Sequence, residues 1–447
     1  MTTNNSGTNP PLRIAIAGLG TVGVGVIRLL AANGDLIAAR AGRAIEVVAV
    51  SARERRKDRG VDISAYAWED DMTALGSRDD VDVVLELVGG SDGPALALSR
   101  AALAGGKGLV TANKAMIAHH GLALAEQAET SRLPLKFEAA VAGGIPVVKG
   151  LREGTSANEL TKVYGILNGT CNYILSEMEA TGADFADTLA EAQKLGYAEA
   201  DPTFDIEGID AAHKLAILAA IGFGAKVDFD AVQVSGIVQV RAADIAQADT
   251  LGFVIRLIAE ADVQNEAGGP RLLQRVRPCL VAKGHPLASV DGPTNAVVAE
   301  GNFSGRLLFQ GAGAGDGPTA SAVVADLIDI ARTFESGTEV GAPFSIPVAQ
   351  LAPLPPADPG QRLERAYLRF TVNDRPGVLA EITAAMRDAD VSIESLIQQG
   401  REQDGGEVLV AIVTHEGPEA NVRRALELLD GSDSLTGDPL VLPILPN

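Results

Sequence analysis

Short apolar runs alternating with Ala/Leu-rich stretches restrict the fold of this chain more than any other feature. LRIAIAG, AIEVVAV and VDVVLELVG all fall before residue 90. A strand apolar on both faces must be covered on both sides, and strands separated by helices build a parallel sheet from βαβ units. That expectation covers residues 11–140.

The first run leads directly into GLGTVG. Gly18 allows a tight turn, Gly20 lets the backbone approach a pyrophosphate, and Gly23 permits close helix packing. Thr21 and Val22 then open a helix whose first N–H groups face the phosphates. In this βαβ setting the motif predicts a Rossmann-type NAD(P)-binding domain, although a bare glycine turn would satisfy the spacing alone. The second run ends at Ser51 without the acid that holds a ribose 2′-OH. Arg53, Arg55, Arg56 and Lys57 follow instead. Such a turn accommodates a 2′-phosphate, so NADP(H) is favoured over NAD(H) and Arg53 is the best-placed cation; the rival reading is a solvated basic turn.

With 447 residues, 47% of them hydrophobic, the chain has room for two or three domains. Thirty-seven basic residues face 58 acidic ones, a net charge of −21. That field disfavours nucleic acid and anionic membrane and leaves small metabolites as partners. Two cysteines, Cys171 and Cys279, without a CxxC pair imply neither a disulfide framework nor a structural zinc, and fit a reducing cytoplasm. The start, MTTNNSGTNPP, has no signal-peptide pattern and reads as a disordered lead-in. Residues 141–345 mix helices with strand-like LTKVYGIL and VRPCLVA, an α+β domain. The Pro-rich APLPPADPGQ falls in a linker over 352–362, and residues 364–445 read βαββαβ.

Charge is concentrated in GYAEADPTFDIEGIDAAHK, residues 196–214, read as a loop running into a helix. Asp210 and Lys214 stand four residues apart on one face, with Glu207 on the same stripe. The plain alternative is a capped helix with an exposed ion pair. TANKA sets Lys114 after the short strand GLV, at the carboxyl edge of a parallel sheet. FEAAVAGGIPVV reads as a strand entering a turn whose carbonyls converge with Glu138 on a cation, or as a turn that merely redirects the chain. LNGTCNYIL passes from a strand into a helix. GAGAGDGPTASAV is a second glycine-rich turn before a helix, suited to close over a nicotinamide or a phosphate. The five histidines suggest neither a triad nor a metal site.

In this order the segments GLGTVG, ELVGG, TANKA, FEAAVAGGIP, LNGTCNYIL, GYAEADPTFDIEGIDAAHKLAIL and GAGAGDGPTASAV resemble homoserine dehydrogenase, from about residue 12 to the C-terminus. NDRPGVLAEI resembles the first loop and helix of an ACT domain. The resemblance implies reduction of L-aspartate 4-semialdehyde to L-homoserine by NAD(P)H, on the route to threonine and methionine. It implies catalytic roles for Lys214, Lys114 and Asp210, and substrate binding by Glu199, Asp210 and Lys114. Cofactor contacts would come from Gly18, Gly20, Thr21, Val22, Gly23, Arg53, Ser91, Lys114, Gly196 and Gly313. Glu138 with Val141, Gly143 and Ile145 would bind a monovalent cation such as sodium. Asn373, Asp374, Gly377, Val378 and Leu379 would line an effector loop, with threonine as effector and a homo-oligomer, dimer or tetramer, as the assembly. The implied form is monofunctional, without an aspartokinase-like segment. Cys171 replaces a frequent threonine and would make activity sensitive to thiol reagents; Phe204 is bulkier than usual there.

Chemically, a hydride passes between the nicotinamide and C4 of the substrate while a proton goes to or from its oxygen. Lys214 is the expected acid, and it has to shed its own proton before it can accept one in oxidation. Glu199 and Asp210 suit a compact substrate ammonium, which needs carboxylate acceptors. Aspartate-semialdehyde dehydrogenase is a rival, but it needs an activated cysteine. A second rival is a non-catalytic NADP and amino-acid sensor of the same fold, against which the intact lysines and acids argue.

Overall fold

The structure, a computed structural model, describes residues 9–337, 340–399 and 407–446. The first eight residues of the expected lead-in lie outside the described residues.

The N-terminal part runs β1 (Leu12–Ala17), α1 (Thr21–Ala41), β2 (Ile45–Ser51), β3 (Ala67–Trp68), β4 (Val83–Glu86), α2 (Pro94–Ala104), β5 (Gly108–Thr111), α3 (Lys114–Ser131) and β6 (Leu135–Lys136). Its strands pair in parallel in the order β3-β2-β1-β4-β5-β6. Strand order therefore reverses between β1 and β4, and ligands of such sheets bind beyond the strand ends at that point. The three apolar runs are β1, β2 and β4, as the alternation predicts. Ile14, Ile16, Val83 and Leu85 share one core with Val26 of α1, each burial worth roughly 1.5–3 kcal/mol. Among the described residues α1 is the one helix long and apolar enough to cross a membrane. Its residues Gly23 to Ile27, with Ile37 and Ala41, are buried in this domain instead.

The chain continues through α4 (Val147–Lys149), which runs on as a π-helical turn to Gly154, then β7 (Leu160–Ile166), α5 (Gly169–Thr181), α6 (Phe185–Leu195), α7 (Thr203–Ile206) and α8 (Ile209–Phe223). There follow β8 (Gln233–Val234), α9 (Ala242–Thr250), the long hairpin of β9 (Phe253–Glu266) and β10 (Gly269–Ala282), β11 (Thr294–Gly301), β12 (Gly305–Ala312) and α10 (Asp316–Ser336). The last part is β13 (Leu363–Asn373), α11 (Val378–Asp388), β14 (Ile393–Gln399), β15 (Glu407–Thr414), β16 (Gly417–Pro418), α12 (Glu419–Leu429) and β17 (Leu440–Ile444). This is the expected βαββαβ unit, with strands in the order β17-β13-β15-β14. Alternate residues of β13, namely Ala366, Leu368, Phe370 and Val372, pack on Ile382 and Met386 of α11 and Ala425 of α12.

Contacts divide the chain into two compact units, one holding residues up to Leu167 with Ala212–Val232 and Asn295–Leu354, the other Asn168–Ala211, Gln233–Thr294 and the chain from Pro355. Within the second unit a buried ion network joins the β9–β10 hairpin to the βαββαβ unit. Arg275, 2% exposed, reaches Glu419 at 2.7 Å, Glu364 at 3.2 Å and Glu260 at 3.4 Å. Arg277 and Arg362 complete it on Glu364, Glu260 and Asp262. The Pro-rich segment makes single bridges, Ala352 to Ala225 in the first unit and Pro356 to Leu272 in the second, before a 3-10 turn at Pro359–Gln361.

Local expectations fail in two places. FEAAVAGGIPVV is not a strand: β6 stops at Lys136 and Glu138–Ala140 form a 3-10 turn. The Glu138 carboxylate accepts the N–H groups of Val148 at 3.0 Å and Lys149 at 2.9 Å, and its own N–H donates to Asp326 at 2.9 Å, so the backbone folds back here. The acidic segment also holds a separate one-turn helix, α7, which Gly208 at φ +84° divides from α8. Glu207 is consequently exposed and off the α8 stripe.

Candidate active site

The cofactor end is built on the turn after β1. A Cβ on Gly18 would stand 2.4 Å from the Leu87 carbonyl beyond β4, and one on Gly23 would stand 2.0 Å from the Gly18 carbonyl. Gly20 faces open space, with nothing within 4 Å of where a Cβ would stand. No side chain caps α1 at Gly20, which leaves the first N–H groups, from Thr21 and Val22 onward, for a ligand. A cavity of about 360 Å³ opens here, lined by Leu19, Gly20, Thr21, Arg28, Lys57, Arg59 and Asp316. Backbone donors beside Arg28 and Lys57 suit a pyrophosphate. Arg53 is exposed and outside that lining; Arg59, which sequence reasoning passed over, is inside it.

At the end of β4 the buried Glu86 carboxylate accepts from Val88 N at 2.8 Å, Gly89 N at 3.1 Å and the Thr111 hydroxyl at 2.6 Å. Thr111 Oγ1 accepts from Asn113 N at 3.0 Å, and the Asn113 amide donates to the Gly90 carbonyl at 2.7 Å while capping α3 through Met116 N at 3.1 Å. Lys114 is thus the first residue of a pinned helix and is half-buried. Ser91, the residue after Gly90, donates to Asp92 at 2.7 Å.

Lys214 is 8% exposed, and its ammonium donates to the Leu167 carbonyl at 2.7 Å. Asn295 Nδ2 donates to the same carbonyl at 3.0 Å. The β7–β11 register, Ile166 opposite Ala296, brings Asn295 to that position. A Cβ on Gly313 would lie 2.2 Å from the Asn295 side chain, and one on Gly143 2.5 Å from the Gly313 carbonyl, so the second glycine-rich turn packs backbone-close against both. Next to Lys214, His213 stacks on Phe229 at 4.2 Å, with its Nε2 3.2 Å from that of His119.

Asp210, 4% exposed, lies in the first turn of α8, so the exposed-ion-pair reading does not hold. The Asn168 amide donates to Asp210 Oδ2 at 2.8 Å and to Asp205 Oδ1 at 2.7 Å. Its carbonyl accepts Cys171 N at 2.7 Å and caps α5. In the same unit Glu199 is exposed on the loop after α6, and Gly196 ends α6 at φ +79°. The Cys171 thiol is fully buried and donates to the Asp205 carbonyl at 3.1 Å, which removes it from thiol reagents and corrects that expectation.

Glu138 is 2% exposed; burial lifts its carboxyl to about 7, Asp326 adding to the rise and the two N–H donors opposing it. Val141, Gly143 and Ile145 follow in a turn with Ala142 and Gly143 both at φ +54°. The Ile145 carbonyl accepts Val147 N at 2.7 Å. One buried carboxylate and a carbonyl-rich turn form an all-oxygen set, which suits a hard cation. Among the described residues no group of three or more His, Cys, Asp or Glu could hold a metal ion.

Family models for homoserine dehydrogenase match residues 146–328, for its NAD-binding domain 18–138, and for the ACT domain 366–429. A homoserine dehydrogenase of Pseudomonas aeruginosa is 43% identical over 96% of this chain and 97% of its own length. The chain belongs to the homoserine dehydrogenase family. A homoserine dehydrogenase of Corynebacterium glutamicum is likewise 43% identical, over 95% of this chain and 94% of its own. The crystal structure of a homoserine dehydrogenase from Thiobacillus denitrificans superposes with a TM-score of 0.90 at 40% identity, covering 98% of each chain. The chain is accordingly an NAD(P)-dependent oxidoreductase of amino-acid biosynthesis acting on homoserine and aspartate semialdehyde, and the ACT domain suggests allosteric regulation.

In the ACT domain of this dehydrogenase Asn373, Asp374, Gly377, Val378 and Leu379 line a cavity of about 320 Å³ together with Arg375 and Gln398. Gly377, at φ +102°, starts α11 without a side-chain cap. Sequence reasoning missed Glu86, Asn113 and Asn295, and saw in the LNGT segment of Asn168 only a passage from strand to helix. TANKA and LNGT carried the signal for two of them: an Asn just before a helix, next to a residue singled out for chemistry.

Proposed function

We propose that this homoserine dehydrogenase works with NADPH and uses Lys214 as the proton donor to the substrate oxygen. The observation that carries the reading is a buried ammonium anchored on a backbone carbonyl: Lys214 bonds to Leu167, and that grip fixes the Nζ atom, one of the three donors of an ammonium being spent on it. The nicotinamide supplies the hydride when bound. Lys214 gives its proton to the developing alkoxide, and the half-buried Lys114 adds positive charge for the same oxygen. Asp210 and Glu199 take the substrate ammonium, Asp210 oriented by the Asn168 amide. Gly18, Gly20, Thr21, Val22 and Gly23 hold the pyrophosphate, Ser91, Gly196 and Gly313 approach the cofactor with their backbone, and the basic turn at Arg53 receives the 2′-phosphate.

Glu138 with the Val141, Gly143 and Ile145 carbonyls takes a monovalent cation, sodium by preference. The ACT cavity binds threonine, its carboxylate at the α11 N-terminus and its ammonium at Asn373 and Asp374, and the enzyme works as a dimer or tetramer in the cytoplasm on the route to threonine and methionine. Lys214→Ala tests the central role. Turnover should fall about 10²–10⁴-fold with little change in KM; near-normal turnover would reassign the acid to Lys114 or to water.

A further inference from the structure

The turn between β2 and β3 carries the chain's densest positive charge, Arg53, Arg55, Arg56, Lys57 and Arg59, yet residues 52–60 contain no strand or helix. Something must hold such a segment against its own repulsion. Arg59 does so. Its Nε donates to the Leu19 carbonyl inside the glycine-rich turn at 3.3 Å, its Nη1 to the Lys57 carbonyl at 2.8 Å, and its Nη2 to the Glu54 carbonyl. One planar guanidinium thus gathers three carbonyls, two from the basic turn and one from the cofactor turn, a geometry a lysine cannot copy. The Asp58 carboxylate tightens the same bend by accepting Gly60 N at 2.9 Å. Trp68 on β3 lies under the arrangement, its ring 5.9 Å from the Arg59 guanidinium and 5.8 Å from that of Arg55.

We infer that Arg59 is a positioning residue for cofactor choice: it buckles the basic turn to the glycine-rich turn and so holds the turn's other cations where a ribose 2′-phosphate is received. The inference rests on the NADP(H) reading above. A 2′-phosphate is recognised by these cations only if the turn is fixed; a cofactor without that phosphate has no use for it. Losing the buckle therefore penalises one cofactor and spares the other, while the proton chemistry at Lys214 is untouched.

Trp68 is the only tryptophan in the sequence, so its fluorescence reports binding at this turn without turnover. Full-length wild type, Arg59→Ala and Arg59→Lys are titrated with NADP+ and, separately, NAD+, and steady-state rates are taken with NADPH and NADH. The expected result is a loss of NADP+ affinity of about tenfold or more in both variants, a change in NAD+ affinity under about threefold, and kcat at saturating NADPH within about twofold of wild type. Arg59→Lys keeps the charge but not the three-carbonyl grip, so wild-type NADP+ affinity in that variant would overturn the buckle. Equal losses for both cofactors would also overturn it. A wild type that binds NAD+ as tightly as NADP+ would instead remove the NADP(H) reading, and the inference with it.

Discussion

Asn168 makes one amide serve two purposes, and two substitutions separate them. Its carbonyl caps α5 through Cys171 N, while its NH2 group donates to Asp210 and Asp205. Alanine removes the cap, worth about 1 kcal/mol, and one hydrogen bond from each carboxylate, worth about 1.5–3 kcal/mol apiece. Asn168→Ala should therefore destabilise the protein by about 4–7 kcal/mol, read from urea unfolding. Asn168→Ser keeps a capping hydroxyl but is too short to reach both acids, so it should recover about 1 kcal/mol of that loss. Both variants leave Asp210 without the amide, and if that bond orients the carboxylate for the substrate ammonium, kcat/KM for aspartate 4-semialdehyde should fall roughly 10–150-fold in both. A serine variant with near-wild-type kcat/KM would break the link between Asn168 and the substrate, and would return the residue to a plain helix cap.

Further outcomes follow from the buried charges and the ACT cavity. Arg275→Ala takes one partner from each of Glu260, Glu364 and Glu419 in the seam between the hairpin and the ACT domain and leaves them to Arg362 and Arg277, and should cost about 1.5–3 kcal/mol in denaturant unfolding; a loss below about 1 kcal/mol would show the remaining arginines to suffice. Burial raises the Glu138 carboxyl to about 7 from 4.5, with Asp326 beside it lifted by burial to about 6 from 3.8. A raised acid costs nothing while both folded and unfolded states hold the proton, so in sodium-free buffer stability should decline as pH rises from about 4.5 to 7 and then level, the Glu138 share at most about 3 kcal/mol. Sodium should restore more of the melting temperature at pH 8 than at pH 5.5, at constant ionic strength; a sodium effect independent of pH would separate the cation from Glu138. Asp374→Ala should abolish inhibition by threonine without changing uninhibited turnover, and retained sensitivity would move the effector elsewhere.

What could be read from sequence was local. The GLGTVG turn is legible because Gly18 and Gly23 meet atoms a few residues away or at the next strand end while Gly20 leaves the turn open, and the parallel sheet follows from the βαβ alternation. The βαββαβ unit is legible because its period-2 and helical patterns are short and regular. The acidic motif gave Asp210 and Lys214 but not Gly208, whose left-handed turn takes Glu207 off the helix face. The partners that fix the chemistry come from afar: Asn295 stands 128 residues from Leu167 and arrives through the β7–β11 register, while Asp326 stands 188 residues from Glu138. The 3-10 turn at FEAA carries that last contact at its first residue, which strand propensity alone does not foresee. Arg59 was hidden for a different reason: among several adjacent cations, only coordinates tell which one binds backbone and which face solvent.

The most direct test is NADPH oxidation by the purified full-length protein on addition of L-aspartate 4-semialdehyde, run beside Lys214→Ala. The account predicts turnover that requires both reagents in the wild type and falls at least about 100-fold in the variant while KM holds. Wild-type protein that is folded and binds NADPH yet does not turn over, or a variant that turns over normally, would contradict it.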